Sequence, residues 1–414
     1  MISLGSGRDM SRNVLLIAAA YYPSNAPGSH RPAKSAKYLV ELGWKPSVLC
    51  ADWPRVRYPQ RFDPELALVD DVCPTARVSY TPRWSGRPAR IAGRAATAVF
   101  PYDTPRGKLR AFLREAARVV ESVPVDLVWS TYLPGYAHVV ARAVSERTGV
   151  PWVADFRDLP DQEGNSWVSR RSVKYEIDVC SRASALTTTS GTLASRLEAR
   201  HDVPVHVVMN GFDPDDYGSG VAQSRDRFAI THYGTLYGHR DPRPLFRALD
   251  LLQARGEMDL DRVTVEFHGP PARQVHGLAG GFECARIVRA NDRIPYRTML
   301  RRQQESTVLL LLKSAAAGGS IPSKLFEYLG AGRPVLNIPG DEGEVDGILS
   351  ETRGGVSACA RDEIASILGA WYGKWGSGRG VTWEGLPERV ERYSRRRQTL
   401  RLVDVFESVL SRPS

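Results

Sequence analysis

Lys324 and Glu327 stand three residues apart in "GGSIPSKLFEYLGAGRPVLNIPG", residues 318–340. The apolar run "TVLLLL" precedes this stretch and reads as a buried strand. Pro322 opens a short helix, and "PVLNI" reads as the next strand. A glycine-rich turn lets backbone come close to a ligand, and a helix N-terminus offers unpaired N–H groups with a partial positive charge. Lys324 adds a full charge in the first turn, so this end of the helix suits an anion such as a phosphate. Glu327 falls on the same helix face, where a carboxylate can take two hydroxyls at once, as on a ribose. Phosphate and ribose side by side make a nucleotide. The same spacing also describes an ordinary surface ion pair, and spacing alone leaves both readings open.

Other charged residues gather at a second strand end. "ADFRD" puts Asp155, Arg157 and Asp158 where a buried strand stops, a point at which charged side chains of α/β sheets commonly meet ligands. A helix cap with a structural ion pair is the alternative. Together with His138 in "GYAHVVARA", these three are the candidate catalytic residues, although a lone histidine on a helix is as often packed or solvent-facing. "NAPGSHR" places Gly28 in the loop after the first strand, with His30 and Arg31 beside it as candidate ligand contacts. A simple turn is the competing description of "NAPG". No histidines have metal-ligand spacing. The five cysteines (Cys50, Cys73, Cys180, Cys284, Cys359) are scattered and form no Cys-x-x-Cys pair, which argues against a disulfide framework and a structural zinc site and for a cytoplasmic protein.

These residues need elements to hold them. A chain of 414 residues suggests two domains at roughly 100–200 residues each. Strand-like runs ("VLLIAA", "PSVLCA", "DLVWST", "PWVADF", "ALTTTS", "HVVMN", then "FAITHYG", "VTVEFHG", "TVLLLL", "PVLNI") alternate with amphipathic helical patterns at 31–42, 107–120, 135–147, 168–183, 192–199 and 242–254. That alternation predicts parallel sheets covered on both faces, an α/β protein with two doubly wound Rossmann-like domains facing each other across a cleft. The Gly-, Asp-, Pro- and Ser-rich stretch "NGFDPDDYGSGVAQSRDR" reads as the linker. The domains are then 1–210 and 211–387, with a last helix at about 388–414 packing back on the first. The apolar runs stay well below the ~18–20 residues of a membrane span, and the first reads as a core strand rather than a signal peptide.

Charge is uneven. From Arg77 to Arg118 there are ten Arg or Lys against two acids, net +8 of the chain's +10. Arg87, Arg90 and Arg94 share one helical face, with Trp84 just before them. This pattern fits either peripheral contact with an anionic membrane or a solvated basic face. No recognition motif supports a nucleic-acid partner.

"IPSKLFEYLGAGRPVL" resembles the nucleotide-binding helix of retaining glycosyltransferases of the GT-B fold, the large bacterial family that includes mannosyl- and N-acetylglucosaminyltransferases. "YYPSNAPGSHRPAKSAKYLVELGWKPSVLCA", "VDLVWSTYLPGYAHVVARAVSERTGVPWVADFRD", "ALTTTSGTLASRL", "VHVVMNGFDPDDY" and "THYGTLYG" carry the resemblance over nearly the whole chain. It implies that Glu327 holds the nucleotide ribose, as the second glutamate of the family's Glu–seven residues–Glu pattern. The first glutamate falls at Gly319, so the resemblance leaves the donor sugar to backbone N–H groups of residues 318–321, including Gly319, Ser320 and Ile321. Thr235 stands at the family's diphosphate-binding Arg position and Arg240 at its Lys position, which leaves Arg240, Lys324 and the Gly28 loop to meet the diphosphate. "RIPYRTML" resembles the segment that cradles the base, with Ile294 and Tyr296 lining it.

The function so implied is transfer of a sugar, with retention of anomeric configuration, from a UDP-, GDP- or TDP-sugar to a hydroxyl or amine on a small-molecule, glycan or lipid-linked acceptor. No metal or further cofactor is required in this reading. A nucleotide-sugar epimerase on the same fold and a non-enzymatic basic protein binding membrane or nucleic acid are the rivals. The expected location is the cytoplasm, with the inner membrane face as a peripheral site.

Overall fold

A computed structural model describes residues 11–52, 62–67, 73–79, 106–132, 135–161, 167–218, 221–223, 226–236, 240–313, 319–340, 342–378 and 380–412. The chain forms two compact units. One comprises Met1–Thr189, Ala194–Val208 and Thr399–Ser414, the other Ser190–Leu193 and Met209–Gln398.

The first unit is built on seven strands: β1 (Asn13–Ala18), β2 (Lys45–Asp52), β3 (Thr75–Ser79), β4 (Leu127–Tyr132), β5 (Trp152–Phe156), β6 (Ala185–Thr188) and β7 (Val205–Val207). All neighbours run parallel in the order β3-β2-β1-β4-β5-β6-β7. The second unit repeats the plan with β8 (Phe228–Tyr233), β9 (Val263–His268), β10 (Val288–Asn291), β11 (Val308–Leu312), β12 (Val335–Ile338) and β13 (Gly355–Ser357), in the order β10-β9-β8-β11-β12-β13. The central strands β4 and β11 are buried at every residue; β11 reads as an unbroken apolar run, and β4 is apolar except for Ser130 and Thr131.

Each order reverses once, between β1 and β4 in the first sheet and between β8 and β11 in the second. At such a reversal the crossovers leave in opposite directions. This opens a crevice outside the strands' carboxyl ends, the usual ligand site of an open α/β sheet. Two doubly wound sheets, each with one switch point, match the architecture expected from the alternating pattern.

Three strands escape the sequence pattern: β3, β10 and β13. All three are sheet edges: β3 beyond β2, β10 beyond β9 and β13 beyond β12. An edge strand packs against one neighbour only, so short and partly polar sequences such as "TARVS" and "VRAN" suffice there. The C-terminal return also differs. Residues 388–398 stay with the second unit, where Val390 and Tyr393 join the cluster around Phe326 and Leu329, and the chain re-enters the first unit at Thr399. There Phe406 is fully buried, with its ring 5.4 Å from Trp44 and 6.4 Å from Trp129. Among the described residues no helix is long and apolar enough to cross a membrane. None of the five cysteines is in a disulfide.

Candidate functional site

In the second unit the candidate residues collect at the switch point. Gly234 follows β8 with φ +121°, and Gly269 follows β9 with φ +110°; a Cβ on Gly269 would lie 3.7 Å from the Gly234 backbone. Only glycines take both the conformation and the closeness without strain. The helix Ser323–Ala331 starts beside this turn, after Pro322 at its N-cap. Its Tyr328 hydroxyl accepts a hydrogen bond from the Tyr233 N–H at 3.0 Å, which ties the helix to the end of β8. Lys324 Cε is thereby carried to within 3.9 Å of where a Gly234 Cβ would stand.

Lys324 Nζ is 2.7 Å from Glu327 Oε2 and 3.3 Å from Met299 Sδ. Gln303 Nε2 also approaches Glu327 Oε2, at 3.4 Å, and the Tyr217 hydroxyl donates to the Glu327 carbonyl at 2.8 Å. Both readings of the Lys–Glu spacing therefore meet here: the two side chains are an ion pair, and the pair sits at the ligand end of the sheet. Arg240 Nη1 donates to Thr235 O at 3.0 Å. Beneath them, burial lowers the pKa of His232 to about 4, and the charges of Arg240 and Lys324 act in the same direction.

Tyr296 is buried, and its hydroxyl donates to Asp216 Oδ2 at 3.2 Å; Ile294 packs against the same apolar cluster as Tyr217 and Met299. Gly319 has φ +92°, and its carbonyl accepts from Ser190 Oγ at 2.8 Å. Ile321 is buried in the core, so its side chain is a packing group and only its backbone remains for a ligand. Sequence reasoning missed Met299, Gln303 and the Glu266–His268 pair (3.1 Å), whose imidazole stacks on Tyr233 at 4.8 Å. "EFHGP", a polar–aromatic strand end before a glycine, was the available signal for the last of these.

In the first unit the structure gives three of the candidate residues, Asp155, Arg31 and His138, buried packing partners. Asp155 is fully buried: Arg31 Nε donates to its Oδ2 at 2.9 Å, Arg31 Nη2 to its Oδ1 at 2.7 Å, and Thr187 Oγ1 to Oδ1 at 2.7 Å. Burial raises its pKa, but Arg31 more than offsets this and holds the carboxyl below the usual range. Asp155 and Arg31, which also donates to Val208 O at 2.9 Å, therefore tie β5 to the helix His30–Glu41. His138 is fully buried too, with Nδ1 2.7 Å from Ser130 Oγ and rings of Phe156, Trp152 and Tyr132 around it. Burial lowers its pKa to about 3, so it is neutral and packed.

His30 is half-buried, with Nδ1 3.0 Å from the Tyr22 hydroxyl. Gly28 has a use that the sequence did not disclose. A Cβ there would lie 2.8 Å from Arg157 Nη2 and 2.9 Å from Nη1, so the glycine makes room for the guanidinium. Arg157 Nε donates to Tyr132 O at 2.8 Å, and Asp158 follows Arg157 outside β5. Among the described residues no group of three His, Cys, Asp or Glu side chains is placed to hold a metal ion.

Residues 30–211 match the glycosyl transferase 4-like domain. No curated protein matches the chain. Among solved structures, it resembles Anabaena HepE in complex with UDP and glucose (TM-score 0.66, 13% identity, 96% of this chain and 100% of that one). It also resembles sucrose-phosphate synthase from Thermosynechococcus elongatus (0.66, 12%, 97% and 99%) and a glycosyltransferase from Rickettsia africae (0.64, 12%, 98% and 100%). The fold is that of the GT-B glycosyltransferases. The domain match covers the part of the chain from residue 30 to residue 211.

Proposed function

We propose that the protein transfers a sugar from a nucleotide-sugar to a hydroxyl or amine acceptor, with retention of configuration. The observation that carries this reading is the placement of Lys324 and Glu327 on the first turns of one helix, over Gly234 at the β8–β11 switch point. The HepE structures with UDP, with UDP-glucose, and with UDP and glucose support a nucleotide-sugar donor for a chain of this fold.

In this reading Arg240 and Lys324 take the donor diphosphate, Glu327 the ribose, and Ile294 and Tyr296 the base. The backbone of residues 319–321 meets the sugar. As the glycosidic bond breaks, negative charge builds on the leaving diphosphate, and preorganised cations and N–H groups stabilise it without a metal. That diphosphate also helps deprotonate the acceptor on the same face, so no dedicated protein base is needed. Asp155, Arg31 and His138 are then framework, while Arg157, Asp158 and His30 face ligand in the first unit.

A thermal-shift screen with UDP, GDP, TDP and ADP tests the reading. One of them at about 100 times its Kd should stabilise the protein by about 2.7 kcal/mol, because it binds only the folded state. Tm values unmoved by all four would remove the nucleotide site. Product analysis with and without acceptor separates transfer from epimerisation.

A further inference from the structure

We propose that the Arg157 guanidinium, seated over Gly28, is the receptor for an oxyanion borne by a substrate, a phosphate or a carboxylate. The inference deepens the glycosyltransferase reading and rests on it only for which substrate brings the anion.

The argument starts with what holds Arg157. Its Nε donates to Tyr132 O at 2.8 Å, and its own carbonyl accepts from Thr189 Oγ1 at 3.2 Å. The planar head lies against Gly28, where any side chain would collide with both Nη atoms. Orientation is thus fixed from three sides, before any ligand arrives. Next comes what Arg157 lacks. Among the described residues Nη1 and Nη2 make no hydrogen bond and no ion pair, although burial is strong enough to lower the pKa of the group. The charges of Asp158 and Asp155 act on it from nearby, but it forms an ion pair with neither, and Asp155 is bonded to Arg31 and Thr187 instead.

A desolvated guanidinium that has acidic neighbours, Asp158 and Asp155, but no ion pair with either is costly to the fold. It is retained where a planar, two-pronged donor must meet a carboxylate or phosphate. The location agrees: Gly28 follows β1, Tyr132 ends β4 and Arg157 follows β5, all at the carboxyl side of the first sheet's switch point.

The test uses the full chain with 15N-labelled arginine. The Arg157 Nε–H signal, assigned by its loss in Arg157→Lys, should move and saturate as inorganic phosphate is added. Gly28→Ala, which displaces the fork, should blunt that response while circular dichroism stays native. UDP and glycerol 3-phosphate then distinguish the sources. If UDP moves the signal and binds Arg157→Gln about 10-fold or more weakly, the oxyanion is the donor's diphosphate. If glycerol 3-phosphate moves it while Arg157→Gln binds UDP normally, the oxyanion belongs to the acceptor. A signal that ignores phosphate, or that chloride at equal ionic strength moves as far, overturns the proposal. Failure of every nucleotide to bind would instead count against the glycosyltransferase reading, since the phosphate response is read independently.

Discussion

Lys324 holds its ammonium against Glu327 at 2.7 Å, and both side chains are largely buried. An exposed i,i+3 pair contributes under about 1 kcal/mol and its loss leaves catalysis untouched. A pair that opens for a nucleotide behaves differently. The Lys324 contact strengthens as charge builds on the leaving diphosphate, whereas Glu327 grips the ribose equally well before and during the reaction. Hydrogen bonds to charged groups are each worth roughly 1.5–3 kcal/mol, or on the order of 10- to 150-fold. Lys324→Ala should therefore lower kcat and kcat/KM together, and Glu327→Gln should mainly raise the donor KM. Steady-state kinetics with the donor found by the nucleotide screen decide the matter. Wild-type turnover in both variants would make the pair structural.

The elements that present these residues each carry a buried neutral histidine. His138 lies on the helix Tyr136–Thr148 of the first unit, and His232 lies in β8 of the second. Their folded pKa values are about 3 and about 4, below the ordinary 6.5. A base with a depressed folded pKa binds its proton more readily in the unfolded chain. Stability is then fully present above pH 6.5 and falls as pH drops toward 4, by about 1.4 kcal/mol per pH unit for each histidine. Asp155 acts in the same direction but only below its ordinary 3.8, so it does not account for loss between these limits. Urea midpoints followed from about pH 7 to pH 5 should decline for the wild-type protein. His138→Gln should start lower and decline more gently. An unchanged slope in that variant would show that the imidazole is not held neutral.

At the scale of the whole molecule, net charge +10 is concentrated between Arg77 and Arg118. Arg87, Arg90 and Arg94 lie outside the described residues, so the membrane reading of this segment stands on its sequence. If the segment docks on anionic lipid, wild-type protein should sediment with phosphatidylserine vesicles at low salt. Changing the three arginines to glutamate should abolish this without altering nucleotide binding. Wild-type protein left in the supernatant returns the patch to a solvated face.

What the sequence determined by itself was what short-range pattern encodes. Continuous apolar runs such as "VLLLL" and amphipathic repeats follow from burial on one or both faces, so two parallel α/β units were legible without coordinates. So was the Lys324–Glu327 helix, because helix periodicity alone puts i and i+3 on one face. Edge strands such as β3 were not legible, since an edge needs little apolar sequence. Only the tertiary structure could assign the charged residues of "ADFRD". Asp155 turned inward to Arg31, a partner 124 positions away, while Arg157 turned toward Gly28. Arg157 lies just beyond β5, where strand alternation no longer fixes its direction relative to Asp155, and which of them finds a counter-charge depends on what the crossovers bring beside it. The role of Gly28 was hidden for the same reason: a glycine in a loop reads as a turn, and the side chain that needs its space arrives from another strand.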